Sequence, residues 1–181
     1  MRRLEVRTIA LAAVLIALTT VFTMFVRLPI PATQGYVNFS DVATYFAAYA
    51  FGPGLGFVAG GIGAGLADLL GGYAQFAPIT LFAHGLQGLL AGLIGRKGSL
   101  AALILGWAAG AIAMIGVYFV GEIFLLGIGP ALAEILPNLG QTAFGGIVGI
   151  PLYLAVRRAY PPITRWRPGA TQDETDLPGA F

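Results

Sequence analysis

Six apolar runs, parted by short breaks rich in glycine, proline and charge, constrain this chain more than any other feature. They lie at about 8–28, 39–51, 55–71, 78–95, 99–127 and 131–157. A helix of roughly 20 apolar residues crosses the hydrocarbon core of a bilayer, because lipid offers no partner for backbone N–H and C=O groups and a helix pairs them internally. The runs therefore predict an all-α membrane protein with six transmembrane helices. The second run is short for a span. It is expected to start in the outer interface or to be shielded by neighbouring helices. Composition agrees: the chain is 57% hydrophobic and 10% charged, against roughly 25% charged in a soluble domain. Arg2, Arg3 and Arg7 before the first run suggest a signal peptide, but the run is too long for one and further spans follow, so it reads as the first transmembrane helix.

The breaks set the connections. Pro29 and Pro31 end the first helix and make 29–37 an external loop, while Pro53-Gly54 makes a tight turn. Gly71–Gln75 and Gly95–Gly98 link the next spans. Beyond Arg157 the chain is polar and proline-rich, with Pro161, Pro162, Pro168 and Pro178. This predicts a six-helix transmembrane domain over 1–159 and a loose cytoplasmic tail over 160–181. Nine of the ten basic residues (Arg2, Arg3, Arg7, Arg96, Lys97, Arg157, Arg158, Arg165 and Arg167) fall on one side of that topology, and only Arg27 on the other. By the positive-inside rule both termini are cytoplasmic and the chain is a multi-pass protein of the cell membrane. Small residues recur four apart, as in Ala13/Ala17, Gly56/Gly60, Gly61/Gly65, Gly88/Gly92, Gly106/Gly110 and Gly145/Gly149. Such pairs let helix backbones approach closely.

Several chemistries are excluded. Without cysteine there are no disulfides, thiol catalysis or cysteine zinc sites. One histidine and scattered carboxylates argue against a metal, and no cofactor is expected. The phosphate-loop, G-x-S-x-G and H-E-x-x-H motifs do not occur. An enzyme is not expected, and basic residues at segment ends suit a membrane surface rather than nucleic acid.

Ionisable residues inside a bilayer are costly and point to function. Here they gather in the outer half of the spans. Asp41 lies near the start of the second, Asp68 near the end of the third, Glu122 near the end of the fifth, and His84 about 9 Å into the fourth. Thr80, His84 and Gln87 share one helical face, and Glu134, Asn138 and Gln141 repeat that spacing. Tyr118 and Glu122 are one turn apart, and Gly61, Gly65 and Asp68 share a face. Four polar stripes at one level imply a shared interior site. Each has a plainer alternative. Asp41 and Asp68 can cap helices or pair with Arg27. His84, Asn138 and Gln141 can bind helices together. Glu134 can sit in the aqueous interface, and Tyr36 and Tyr73 can be interfacial anchors.

The motifs Gly35-Tyr36-Val37-Asn38-Phe39-Ser40-Asp41, Phe51-Gly52-Pro53, Gly60 to Leu70 with Gly72-Tyr73, Ala77-Pro78-Ile79-Thr80, Gly116-Val117-Tyr118-Phe119 with Glu122, and Asn138-Leu139-Gly140-Gln141 together resemble the S component of an energy-coupling factor (ECF) vitamin transporter. The resemblance covers 8–157 and is nearest to the riboflavin and hydroxymethylpyrimidine type. It implies six helices around a pocket near the external face, lidded by the first external loop. It also implies partnership with a transmembrane coupling subunit and two cytoplasmic ATPases. Ala13 and Ala17 match the Ala-x-x-x-Ala face that docks the coupling subunit in that family, whose S components are thought to topple to release ligand inward. His84 stands where the family often has lysine. Residues and resemblance together select Tyr36, Asn38, Asp68, Tyr73, His84, Tyr118, Glu122, Asn138 and Gln141 as substrate-binding. The expected ligand is a small aromatic vitamin or precursor: a hydroxymethylpyrimidine, a vitamin B6 form or riboflavin. The alternative is a solitary carrier working without ATPases.

Overall fold

A computed structural model describes residues 6–31, 33 and 35–167. Six helices carry the fold: α1 (Val6–Phe25), α2 (Ser40–Phe51), α3 (Pro53–Gly71), α4 (Ala77–Ile94), α5 (Leu100–Leu126) and α6 (Ile128–Ala159). All but α2 are long and apolar enough to cross a bilayer. The chain is a multi-pass α-helical membrane protein. Local chemistry sets the helix ends. Gly52, Gly72, Gly98 and Gly127 take the positive φ that ends one helix and redirects the chain. Pro53 and Pro78 fall in first turns, where a missing N–H costs nothing, and Ser99 caps α5 by accepting from Ala102 N.

The all-α expectation holds, with one short non-helical element added. Between α1 and α2 the external loop forms an antiparallel hairpin, β1 (Arg27–Ile30) with β2 (Gly35–Asn38). Proline at 29 is no obstacle in a two-stranded ribbon, where one edge of each strand is unpaired.

Helix α2 has 12 residues, about 18 Å of rise, and 11 of them are buried. Its inner end meets the α4 terminus, where a Cβ on Gly92 would touch Pro53 and one on Gly95 would touch Tyr49. Its first turn lies against Gly145 in mid-α6 and Gln87 in mid-α4. The helix therefore starts deep, and its missing outer turns leave the space that the hairpin roofs. Neighbouring helices shield it, as one of the two readings of the short run required.

The glycine pairs do what their spacing suggests. A Cβ on Gly56 would stand 2.7 Å from Gly88 O, and one on Gly60 2.6 Å from His84 O. These close approaches bind α3 to α4, while Gly145 and Gly149 admit α2 against α6. Ala13 and Ala17, by contrast, are exposed on α1, the least buried of the long helices.

One end of the bundle is basic. Arg7 lies 3.7 Å over the Trp166 ring, Arg157 donates to Gly98 O, and Arg167 donates to the carbonyls of Tyr49, Ala50 and Arg96. The start of the tail is thus not loose. Residues 161–166 form a short helical turn, Ile163 joins the core, and Arg167 satisfies carbonyls at the end of α2. Arg2 and Arg3 and residues 168–181 lie outside the described residues.

Candidate functional site

At the other end, the hairpin and five helices line a narrow, partly open cavity of about 30 Å³. Its polar wall comes from Thr23 of α1, Asn38 at the hairpin root, Asp68 of α3, Thr80 of α4, Tyr118 and Glu122 of α5, and Glu134, Asn138 and Gln141 of α6. Gly35, Tyr36, Ala64 and Phe76 complete it. Seven of the nine residues selected from sequence are on this wall: Tyr36, Asn38, Asp68, Tyr118, Glu122, Asn138 and Gln141.

Hydrogen bonds to α3 and α6 hold the hairpin down. Thr33 donates to Glu134, Tyr36 donates to Asp68 at 2.6 Å, and Asn38 N donates to Gln141 Oε1 at 2.7 Å. Burial, and then the charge of Asp68, push the Tyr36 phenol well above the ordinary tyrosine range, so it stays a donor. Outside it, Tyr73 packs on Tyr36 with ring centroids 4.6 Å apart. Arg27 lies over both rings and donates to Ala67 O and Gly71 O at the end of α3. That position caps a helix C-terminus with a cation, which its dipole favours. Tyr73 is therefore a buttress behind the roof, off the cavity wall.

His84 is also off the wall. It is fully buried beneath the cavity, edge-on to Tyr118. Its Nδ1 is 2.7 Å from Gln87 Oε1 and 3.3 Å from Asp41 Oδ1. Gln87 Nε2 donates to Asp41 Oδ2, Tyr45 OH and Thr142 Oγ1, and Gln141 Nε2 donates to Asp41 Oδ1. This network is the cavity floor. Asp41 neither caps at the surface nor meets Arg27; it is the buried hub that α4 and α6 both donate to. Glu134 is likewise buried rather than interfacial. Sequence reasoning left Thr23 unnoticed, although Thr19, Thr20 and Thr23 form the one polar stripe on an apolar α1. It also left out Tyr45, whose ring suits an apolar run while its hydroxyl joins the floor.

Three buried polar atoms lack a hydrogen-bond partner among the described residues around this site: Asp68 Oδ2, Glu122 Oε2 and His84 Nε2. Buried polar groups are nearly always paired, so these unpaired atoms set the site apart from the rest of the interior.

The family model for the S component of ECF-type riboflavin transporters matches residues 3–158. The chain belongs to this S-component family. It is 38% identical over 145 residues to an uncharacterised protein of Pyrococcus woesei, covering 80% of this chain and 97% of that one. It is 30% identical over 155 residues to the thiamine precursor transporter HmpT of Lactococcus lactis subsp. cremoris, covering 85% and 90%. Among solved structures, the S component of a bacterial ECF transporter superposes with a TM-score of 0.68 at 24% identity, over 83% of this chain and 95% of that one. This S component thus has the six-helix fold that its sequence predicts, and its role is in vitamin or precursor uptake.

Proposed function

We propose that this S component captures a small planar, nitrogen-containing vitamin or vitamin precursor at the outer face of the cell membrane. It then delivers the ligand through an ECF module of one transmembrane coupling subunit and two cytoplasmic ATPases. The observation that carries this reading is the cavity opposite the basic end, roofed by a latched hairpin and floored by buried polar groups. If the basic end is cytoplasmic, as positive charge dictates, the cavity faces out. Tyr36, Phe76 and Tyr118 offer aromatic surfaces, and Asn38, Asp68, Glu122, Asn138 and Gln141 offer polar groups at fixed positions. Tyr73 and His84 act from behind the wall, holding the roof and the floor. The exposed Ala13 and Ala17 provide the close-approach face for the coupling subunit.

The family model points to riboflavin and the Lactococcus relative to a thiamine precursor. A wall crowded by three aromatic rings suits a single-ring pyrimidine or pyridine, including a vitamin B6 form. Calorimetric titration of the purified chain with such a panel tests the reading. One member is expected to bind at micromolar concentration or tighter. Glu122→Ala and Asn138→Ala should each weaken it about tenfold or more, the cost of a buried hydrogen bond to a charged or amide group. Absence of binding to every planar heterocycle at micromolar concentration would refute the reading.

A further inference from the structure

The wall donors are largely spent on the protein itself. Thr23 donates to Thr19 O, Tyr36 to Asp68, Tyr118 to Thr80, and the Gln141 amide to Asp41. Of the lining side chains, Asn38, whose Oδ1 accepts from Ser40 N, and Asn138 keep uncommitted amide N–H groups. The acceptors are in surplus: Glu122, 2% exposed, and Asp68, 3% exposed, both line the cavity and each keeps a buried oxygen without a hydrogen-bond partner. No described lysine, arginine or histidine lines it. Arg27 is outside the Tyr36 and Tyr73 rings and tied to carbonyls, and His84 is behind Tyr118 with its Nδ1 committed. The other ionisable groups around the cavity are Glu134, held by Thr33, and Asp41 beneath Gln141.

Resting on the reading above, we infer that Glu122 determines specificity by selecting a heterocycle whose edge donates: an exocyclic amine beside a basic ring nitrogen. With a proton on the ring nitrogen, the two N–H groups are parallel and match the two oxygens of one carboxylate, the geometry of a strong bidentate pair. The proton comes from solvent or from Glu122 itself, and the charges cancel within the pair. A donor-rich edge satisfies the acceptors that the protein leaves open. The edge of a flavin does not: its N–H sits between two carbonyls, which bring further acceptors to a wall already rich in them.

The test compares three probes on the full chain: an aminohydroxymethylpyrimidine, the corresponding pyrimidinone with oxygen in place of the amine, and riboflavin. The aminopyrimidine is expected to bind roughly 30-fold tighter than the pyrimidinone, since a site built to accept rejects an analogue that lacks the donor. In Glu122→Gln, whose amide can both give and accept, that ratio should fall to about threefold or less. A structural role for Glu122 would instead weaken both ligands alike. Equal or tighter binding of the pyrimidinone or riboflavin, or a ratio unchanged in Glu122→Gln, overturns the inference while leaving a heterocycle-capturing S component intact. Binding of none of the three, nor of any other planar heterocycle, overturns the broader reading. Should Glu122→Gln not be recovered as a folded protein, the wild-type ratio alone decides.

Discussion

Asp41 separates what a residue's sequence position says from what its surroundings do. By position it opens a helix near the outer surface, where a carboxylate beside the N-terminal dipole end is ordinary. Its depth follows from a neighbouring fact, the shortness of α2, and its partners Gln87, Gln141 and His84 come from helices that are distant in sequence. Sequence spacing placed Thr80, His84 and Gln87 on one face and Glu134, Asn138 and Gln141 on another, because helical periodicity is local. Which of them lines the cavity and which lies under it depends on interhelical contacts that periodicity does not encode. That is why His84 and Tyr73 were legible as polar or aromatic and interior-facing, but not as supports. Replacing Asp41 with Ala strands the Gln87 and Gln141 amides and the His84 ring in a buried site. The cost is expected to be about 3 kcal/mol or more, read as a lowered Tm in detergent, with Asp41→Asn falling between it and wild type. An unchanged Tm in Asp41→Ala would show that the floor is not held by this hub.

Among the elements, the helices were legible to within about three residues at their ends, since long apolar runs bounded by glycine and proline leave few alternatives. The hairpin was not. Its two four-residue strands carry no strong alternation, and pairing in a two-stranded ribbon owes much to what lies beneath it. Here that support is the row of bonds from Thr33, Tyr36 and Asn38 to α3 and α6. The start of the tail is a related case: proline-rich composition describes local stiffness, and not the carbonyls at the end of α2 that Arg167 reaches. Because the roof is latched by a few bonds, ligand release should be sensitive to each. Thr33→Val removes the donor to Glu134, so dissociation is expected to accelerate roughly tenfold, as a hydrogen bond to a charged group is worth about 1.5 kcal/mol. Stopped-flow dissociation of the bound vitamin checks this; an unchanged off-rate with unchanged affinity would show that the hairpin does not gate exit.

Across the whole molecule, polarity is arranged by end. Arginines crowd one end around the closing tail, and the acidic cavity opens at the other. Between them the interior is a packed column: Tyr45 bonds Thr142, Tyr49 bonds Leu103 O, and Tyr153 meets Arg167, all with little or no exposed surface. The tyrosine hydroxyls of this column are thus engaged beneath the cavity. Capture without self-sufficient transport is the function proposed for this S component, and that is what separates it from a solitary carrier. The direct measurement uses the purified chain in liposomes with its radiolabelled ligand, with and without an ECF module and ATP. The chain alone is expected to bind up to one ligand per outward-facing protein and then stop, while the module with ATP gives continuing accumulation. Accumulation beyond that stoichiometry by the chain alone would contradict the account.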